Sequence, residues 1–589
     1  MRHLRPASAG RYASEILMRS IFPVLAVAAL AVLSWPAVDH AAQPAGASTA
    51  AAALAAHTTH KIAGSDFGRV AAPQGRGPGW AEQSFPPLWD EPKDYERSLH
   101  RQLEQVDARI ARGPFKASWQ SLEAYQAPRW FRDAKFGIFI HWGVFSVPAF
   151  DNEWYSRNMY VKGSVAYEYH RAVYGPQSKF GYKDFIPRFT MARFDPDAWA
   201  DLFVRAGARY VVPVAEHSDG FALYDSKFTL WDAARMGPKR DLVAALEKAV
   251  RARGLHFGVS SHRAEHWWWN HEGTEYASDV NDPRYAGLYG PAEPMHLPAD
   301  PGTGEPDPSH LERWLPPSRP YIDDWLARST ELIDDYHPDF IYFDWWINQP
   351  AFAPDLKRVA AYYYDVAAAR HQGVVLTYKL EAFPPGAATL DIERGKLDTL
   401  LLRPWQSDTS VSINSWGYVK DDSYRTAGSL LTDLIDIVSK NGNLLLNIGP
   451  RADGTIPSEV RTVLLQIGAW LETNGEAIYG TRPWTLYGEG PTNAPSGREA
   501  GQVYTPADIR FTQKDGTLYA MGLAWPRDGK VLVKTLYSGT PYLTAPIAQV
   551  FLLGDAAPVA WQQTSQGLAV QLPPPHDDLP YALKILTRK

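Results

Sequence analysis

Short apolar runs, several ending in a charged or polar side chain, recur through the middle of this chain and alternate with segments of helical spacing. Lys135–Gly143 (KFGIFIHWG), Arg209–His217 (RYVVPVAEH), His256–His262 (HFGVSSH), Phe340–Trp346 (FIYFDWW), Val374–Leu380 (VVLTYKL) and Asn443–Ile448 (NLLLNI) read as strands. They lack the polar–apolar alternation of a half-exposed sheet, as strands buried on both faces do. Between them, Asp195–Ala208, Asp241–Arg253, Tyr321–Tyr336, Leu356–Arg370, Leu430–Ser439 and Ser458–Thr473 read as helices. The first has Asp195 placed to cap it and Pro196 in its first turn. This alternation predicts βαβ units and a parallel sheet. Six or seven such units in one chain favour a (β/α)8-like TIM barrel over a doubly wound sheet. No Gly-rich phosphate fingerprint follows any of the strands, which also argues against a dinucleotide fold.

From about Trp484 the pattern changes to short β-rich runs: Asp508–Gln513, Thr517–Leu523, Val531–Leu536, Gln549–Leu553 and Ala569–Leu572. Lys514-Asp515-Gly516 supplies a hairpin turn between the first two, and no helical pattern intervenes. Residues 483–589 are therefore expected to form a C-terminal all-β sandwich behind a barrel at 129–482. A helical extension is expected over 81–128, and residues 271–320 form a Pro-rich insertion after the third strand.

The N-terminus reads as an export signal. Arg2, Arg5, Arg11 and Arg19 precede the apolar run Ile21–Trp35, which is too short for a spanning helix of about 20 residues. Ala37, Ala41 and Ala42 follow as small-residue cleavage sites. Residues 1–42 are thus expected to be a signal peptide, with an uncleaved anchor as the alternative, and 43–80 a disordered leader. The mature protein is expected outside the cytoplasm, in a bacterial periplasm or secreted, without stable membrane insertion.

Composition narrows the chemistry. The 589 residues include no Cys, which removes disulfides, thiol nucleophiles and Cys-ligated metals together. A formal charge of −6 leaves no electrostatic footprint for nucleic acid. The 22 Trp and 30 Tyr suit sugar recognition, though a large core also uses such residues. In a barrel of this type the chemistry lies at the C-terminal ends of the strands. Those ends present His141, His217 with Asp219, His262 with Glu265, Asp344 and Glu381. Asp344 follows four apolar residues and precedes two Trp, where nothing calls for a cap or turn residue. Glu153 sits among aromatics in DNEWY.

Two competing motifs are weak. His262-Arg263-Ala264-Glu265-His266 matches H-x-x-E-H of a zinc peptidase class, but it ends a β-rich run rather than lying within a helix. No G-x-S-x-G elbow occurs, which disfavours a serine hydrolase. Two or more carboxylates at the mouth of a Trp-rich barrel point instead to a glycosidase.

At this point the chain resembles the α-L-fucosidases of glycoside hydrolase family 29. The motifs that carry the likeness are KFGIFIHWGVFSVPAF (135–150), EWY (153–155), FDPDAWADLFVRAGARYVV (194–212), EHSDGF (216–221), PDFIYFD (338–344) and SKNGNLLLNIGPRADGTIP (439–457). The resemblance implies a TIM-like barrel, a C-terminal sandwich and retaining hydrolysis through a fucosyl-enzyme intermediate, with no cofactor or metal. It implies Asp344 as nucleophile, and His141, Glu153, Trp154 and His217 as residues that bond or stack on the sugar. Ser218 departs from the family pattern, where a second histidine is common; His262 or His266 is the expected replacement. Tyr342 stands where some members have Trp. Glu393 in LDIERGKLD is the expected acid/base, with Glu381 second; Tyr342, Glu381 and His262 join the expected substrate-binding set. The expected partner is a fucosylated oligosaccharide or glycoconjugate. A related exo-glycosidase, for instance on α-L-galactosides, and a catalytically inactive sugar-binding protein are the alternatives.

Overall fold

The structure, a computed structural model, describes residues 94–295, 315–492, 497–498, 502–575 and 577–588. The expected signal peptide and leader, the start of the helical extension and the centre of the Pro-rich insertion lie outside the described residues.

Eight parallel strands close into a barrel: β1 Phe136–Ile140, β2 Tyr210–Glu216, β3 His256–Ser261, β4 Phe340–Phe343, β5 Val375–Tyr378, β6 Thr389–Glu393, β7 Trp405–Ser410 and β8 Gly442–Ile448. The ring closes where β1 pairs with β8, Ile138 opposite Leu446. Helix α1, Tyr95–Arg112, precedes the barrel; α2 (Pro196–Arg205), α3 (Leu242–Ala252), α4 (Arg319–Tyr336) and α5 (Ala353–Ala369) connect β1 through β5 in turn. α6 (Ala427–Ser439) joins β7 to β8, and α7 (Ser458–Asn474) follows β8. Their starts are written in the sequence. Asp195, Asp241, Ser318 and Thr426 each accept a backbone N–H three residues on, satisfying a donor the helix leaves open.

The fold class is as expected, but two strands escape the hydrophobic pattern. β6 (TLDIE) and β7 (WQSDTS) are polar, and no helix separates β5 from β6 or β6 from β7. Their polarity has a physical cause inside the barrel. Alternate residues of a strand share a face, so Asp391 and Glu393 point the same way. Asp391 and Asp408 take hydrogen bonds from the buried Lys379 ammonium at 2.6 and 2.9 Å. Gln406 bridges Asp391 at 2.6 Å and the Tyr210 hydroxyl at 2.9 Å. The other half of the interior is apolar: Phe139, Val212, Val214, Phe340, Tyr342, Val375 and Leu445 pack together over Phe131.

An ionic cluster clamps the loop after β3. The Arg263 guanidinium bonds Glu216 at 2.6 Å and Asp324 at 2.6 Å, and Arg328 reaches the same two carboxylates at 3.2 and 3.1 Å. Tyr95 of α1 donates to Asp324 at 2.9 Å, tying the N-terminal helix to the same knot. All four charged side chains are buried, so removing Arg263 leaves the Arg328 cation alone to balance two carboxylates in a low-dielectric interior. Arg263→Ala should therefore lower unfolding stability by about 3–5 kcal/mol, read as a fall in the urea midpoint.

Beyond α7, β9 (Arg482–Glu489), β10 (Ile509–Lys514), β11 (Thr517–Gly522), β12 (Lys530–Val533), β13 (Ile547–Leu552), β14 (Ala560–Thr564), β15 (Gly567–Gln571) and β16 (Tyr581–Thr587) form two antiparallel sheets. The orders are β9-β10-β11-β16-β13 and β12-β15-β14. Phe511, Leu518, Leu583 and Ile585 of the larger sheet share one core with Val531, Val533, Leu568 and Val570 of the smaller, which makes a sandwich. The β10–β11 turn has Asp515 and Gly516 at φ of 49° and 80°, the left-handed pair that a two-residue hairpin requires. Among the described residues no helix is long and apolar enough to cross a membrane.

Candidate active site

The strand ends converge as barrel geometry demands. His141 follows β1, and its ring is held by Asn447 at the end of β8. Asn447 Oδ1 accepts the His141 backbone N–H at 3.0 Å and lies 2.7 Å from Nδ1. The Asn447 amide is itself oriented, donating to Ser410 Oγ and the Trp416 carbonyl at 3.0 and 2.7 Å. Nδ1 therefore carries the proton, and Nε2 presents a lone pair. His217 follows β2 and stacks on His262 with ring centroids 4.9 Å apart; His141 meets His262 edge-on at 5.2 Å. Burial, reinforced by the neighbouring imidazoles, pushes His141 and His217 well below the usual histidine range, so both are neutral.

The nitrogens of His141, His217 and His262 lie within 4.8 Å of one another. Among the described residues this set of side chains has the donors for a metal ion, and the same donors and acceptors suit the hydroxyls of one sugar ring. The H-x-x-E-H stretch does not assemble a zinc peptidase site. Arg263–Glu265 is a 3-10 turn, and the His266 ring is turned to the Ser218 carbonyl at 2.9 Å, packed where a Cβ on Gly220 or Gly290 would collide with it.

Asp344 stands directly after β4, as the sequence predicts. His262 Nδ1 bonds its Oδ2 at 2.8 Å, and the Tyr342 hydroxyl reaches Oδ1 at 3.4 Å. Burial alone would raise its pKa, but the bond from His262 and the nearby Lys379 ammonium hold it well below the usual carboxylate range. Asp344 is thus kept ionised.

Glu393, at the end of β6, has the opposite surroundings. Burial raises its pKa above the ordinary glutamate value of 4.5, and the charges of Asp408 and Asp344 add to that against the pull of Lys379 at 3.7 Å. Trp345 donates its indole N–H to Glu393 Oε2. Consecutive residues thus carry one carboxylate and anchor the other. A pair of carboxyl groups pushed to opposite protonation states is what glycoside hydrolysis requires.

Around this pair, Glu153 is buried and accepts the Trp416 backbone N–H at 2.7 Å and the Ser415 hydroxyl at 3.1 Å. Trp154 lies against Trp269, with ring centroids 4.6 Å apart.

Comparisons with known proteins identify the family. A sequence model described as alpha-L-fucosidase matches residues 102–476, and one described as the alpha-L-fucosidase C-terminal domain matches residues 504–586. The chain belongs to the α-L-fucosidase family. Human plasma alpha-L-fucosidase is 33% identical over 476 residues, covering 78% of this chain and 88% of that protein. Rat tissue alpha-L-fucosidase is 31% identical over 468 residues, with the same coverage of both chains. Among solved structures, Thermotoga maritima alpha-fucosidase superposes with a TM-score of 0.64 at 30% identity, covering 80% of this chain and 100% of that one. A second structure of that protein, in complex with fucose, matches equally well.

Within this fucosidase the structure separates the expected site residues. His141, His217, His262 and Asp344 form one connected cluster, and Trp345 links Asp344 to Glu393. Tyr342 is buried in the barrel interior, its hydroxyl committed to Asp408 at 2.9 Å and to Asp344, so it supports the Asp344 carboxylate. Glu381 is exposed on the turn after β5, with Tyr378 as its charge-sensing neighbour and no bond to the cluster among the described residues. The reading of the sequence missed Lys379, Asp391 and Asp408. The signal was present in TLDIE, whose acidic residues recur at a strand's two-residue period.

Proposed function

We propose that this α-L-fucosidase removes terminal α-L-fucose from fucosylated glycans by double displacement with retention of configuration. The opposed environments of Asp344 and Glu393 support this reading best. The Asp344 carboxylate attacks the anomeric carbon from the face opposite the glycosidic oxygen. As that C–O bond breaks, Glu393 gives its proton to the departing oxygen, and a fucosyl ester on Asp344 results. Glu393, now ionised, takes a proton from a water that attacks the same carbon, restoring both carboxyl groups and releasing fucose. His141, His217 and Glu153 bind the ring hydroxyls, and Trp154 covers an apolar face of the sugar. His262 orients Asp344 through Nδ1, which leaves Nε2 without a protein partner and free for the sugar.

The cleft needs Asp344 charged and Glu393 protonated. Asp344 is lowered, so its charge persists until pH falls beneath the ordinary carboxylate range; Glu393 is raised, so its proton is lost only as pH rises above 4.5. The kcat/KM profile should therefore be bell-shaped, with the alkaline limb belonging to Glu393. Glu393→Gln should abolish that limb on an activated aryl fucoside; a limb that persists would assign it elsewhere. The function itself is tested by release of fucose from an aryl α-L-fucoside beside aryl galactosides and a fucosylated oligosaccharide. Equal or faster turnover of an α-L-galactoside would overturn the substrate assignment. The charged, apolar and small-residue order of residues 1–42 further supports export, which sequencing the mature N-terminus checks.

A further inference from the structure

A fourth carboxyl group faces this pocket, and the double-displacement chemistry gives it no task. Glu265 lies on the 3-10 turn that follows β3 and is only 2% exposed. Its Oε2 is 2.7 Å from the Ser218 hydroxyl, which also lies 3.3 Å from the His262 carbonyl. Among the described residues no protein group bonds Oε1. The nearest cation along the chain, Arg263, is committed to Glu216 and Asp324.

A buried carboxyl group with one neutral hydroxyl for company is under-bonded, and such groups take a partner from protein, water or ligand. Its place beside the site follows from its neighbours: Ser218, which holds it, adjoins His217, and His262, which bonds Asp344, begins the turn that carries it. After burial, its electrostatic neighbours are Asp344, then Glu393 and Glu153, the carboxylates placed at the pocket. Burial and these carboxylates push its pKa well above the usual glutamate range, which favours the neutral acid. A neutral carboxyl both donates and accepts, and so is matched to a hydroxyl rather than to a cation.

We propose that Glu265 is a sugar-recognition residue, its Oε1 hydrogen-bonded to one ring hydroxyl of the terminal fucose. The inference rests on the fucosidase reading of the pocket and adds a contact to it. Glu265 takes no part in bond making or breaking; it discriminates by what the bound ring presents to it.

The test is calorimetric titration with L-fucose and its 2-, 3- and 4-deoxy forms, which needs no turnover. In the wild type, deleting the contacted hydroxyl should weaken binding about tenfold or more. In Glu265→Ala that same deletion should change affinity by less than about threefold, because its partner is already gone. Glu265→Gln, which keeps a donor and an acceptor, should bind L-fucose within about threefold of wild type. If all three deletions cost as much in Glu265→Ala as in wild type, the contact does not exist. Should the alanine variant not fold, Glu265→Leu keeps the volume and carries the same test. Wild-type protein that binds fucose but hydrolyses no fucoside would sink the catalytic reading and leave this one standing; failure to bind fucose would sink both.

Discussion

Asp344→Ala should lower kcat by about 10³ or more on every fucoside, whatever its leaving group, because covalent catalysis is lost altogether. The geometry explains why nothing nearby can substitute. His262 donates to one oxygen of Asp344, and the Tyr342 hydroxyl approaches the other, which aims the carboxylate and keeps it ionised. Glu393 is held by Trp345 and Glu265 by Ser218, and both are raised in pKa, which disfavours the anion that attack requires. From sequence, losing a carboxylate from a crowded pocket is expected to relieve repulsion. The structure changes that expectation. The depressed pKa of Asp344 means the folded protein favours its charge, and that contribution is present above the unfolded carboxylate pKa and lost as pH falls through the folded one. Its removal should therefore slightly lower, not raise, the melting temperature at neutral pH. A 2-deoxy-2-fluoro fucosyl fluoride should label a peptide containing Asp344. Labelling elsewhere, or full activity in the alanine variant, would show that another residue is the nucleophile.

Glu393→Ala should divide substrates by leaving group. Natural glycosides, whose alkoxide departs only with a proton, should lose about 10²–10⁴ in kcat/KM. An aryl fucoside with an acidic phenol should lose far less in the first step, and azide should restore turnover by attacking the fucosyl ester. Trp345 offers a second readout. Its indole N–H stabilises the Glu393 anion, so Trp345→Phe should shift the alkaline limb of the profile upward without replacing the acid. Wild-type rates for Glu393→Ala on a natural glycan would refute its role and return attention to Glu381, despite the exposed position of that side chain.

Much of this was legible in one dimension. The buried strands announce themselves because a parallel barrel hides both faces of most strands, and their polar ends mark the catalytic rim. Asp344 is visible for that reason, a charge at the end of four apolar residues with no local structure to explain it. Four helix starts are marked in the sequence because Asp195, Asp241, Ser318 and Thr426 each satisfy a backbone donor that the helix leaves open. The hairpin at Asp515-Gly516 is visible because few residue pairs tolerate its dihedrals.

What only the tertiary structure decided is how polar groups distant in sequence meet. β6 and β7 do not look like core strands, since their interior face is matched to an ammonium, Lys379, supplied by the end of β5. No local rule predicts a buried charge, because its cost is offset only by partners that folding brings in. The same holds for protonation. Asp344, Glu393 and Glu265 are equivalent as letters, and their different roles follow from burial and from which charges surround each. Sequence alone determines the barrel, the sandwich and the strand end that carries Asp344. The closed ring of strands decides which carboxyl group is lowered in pKa and which are raised, because pKa is set by neighbours in space.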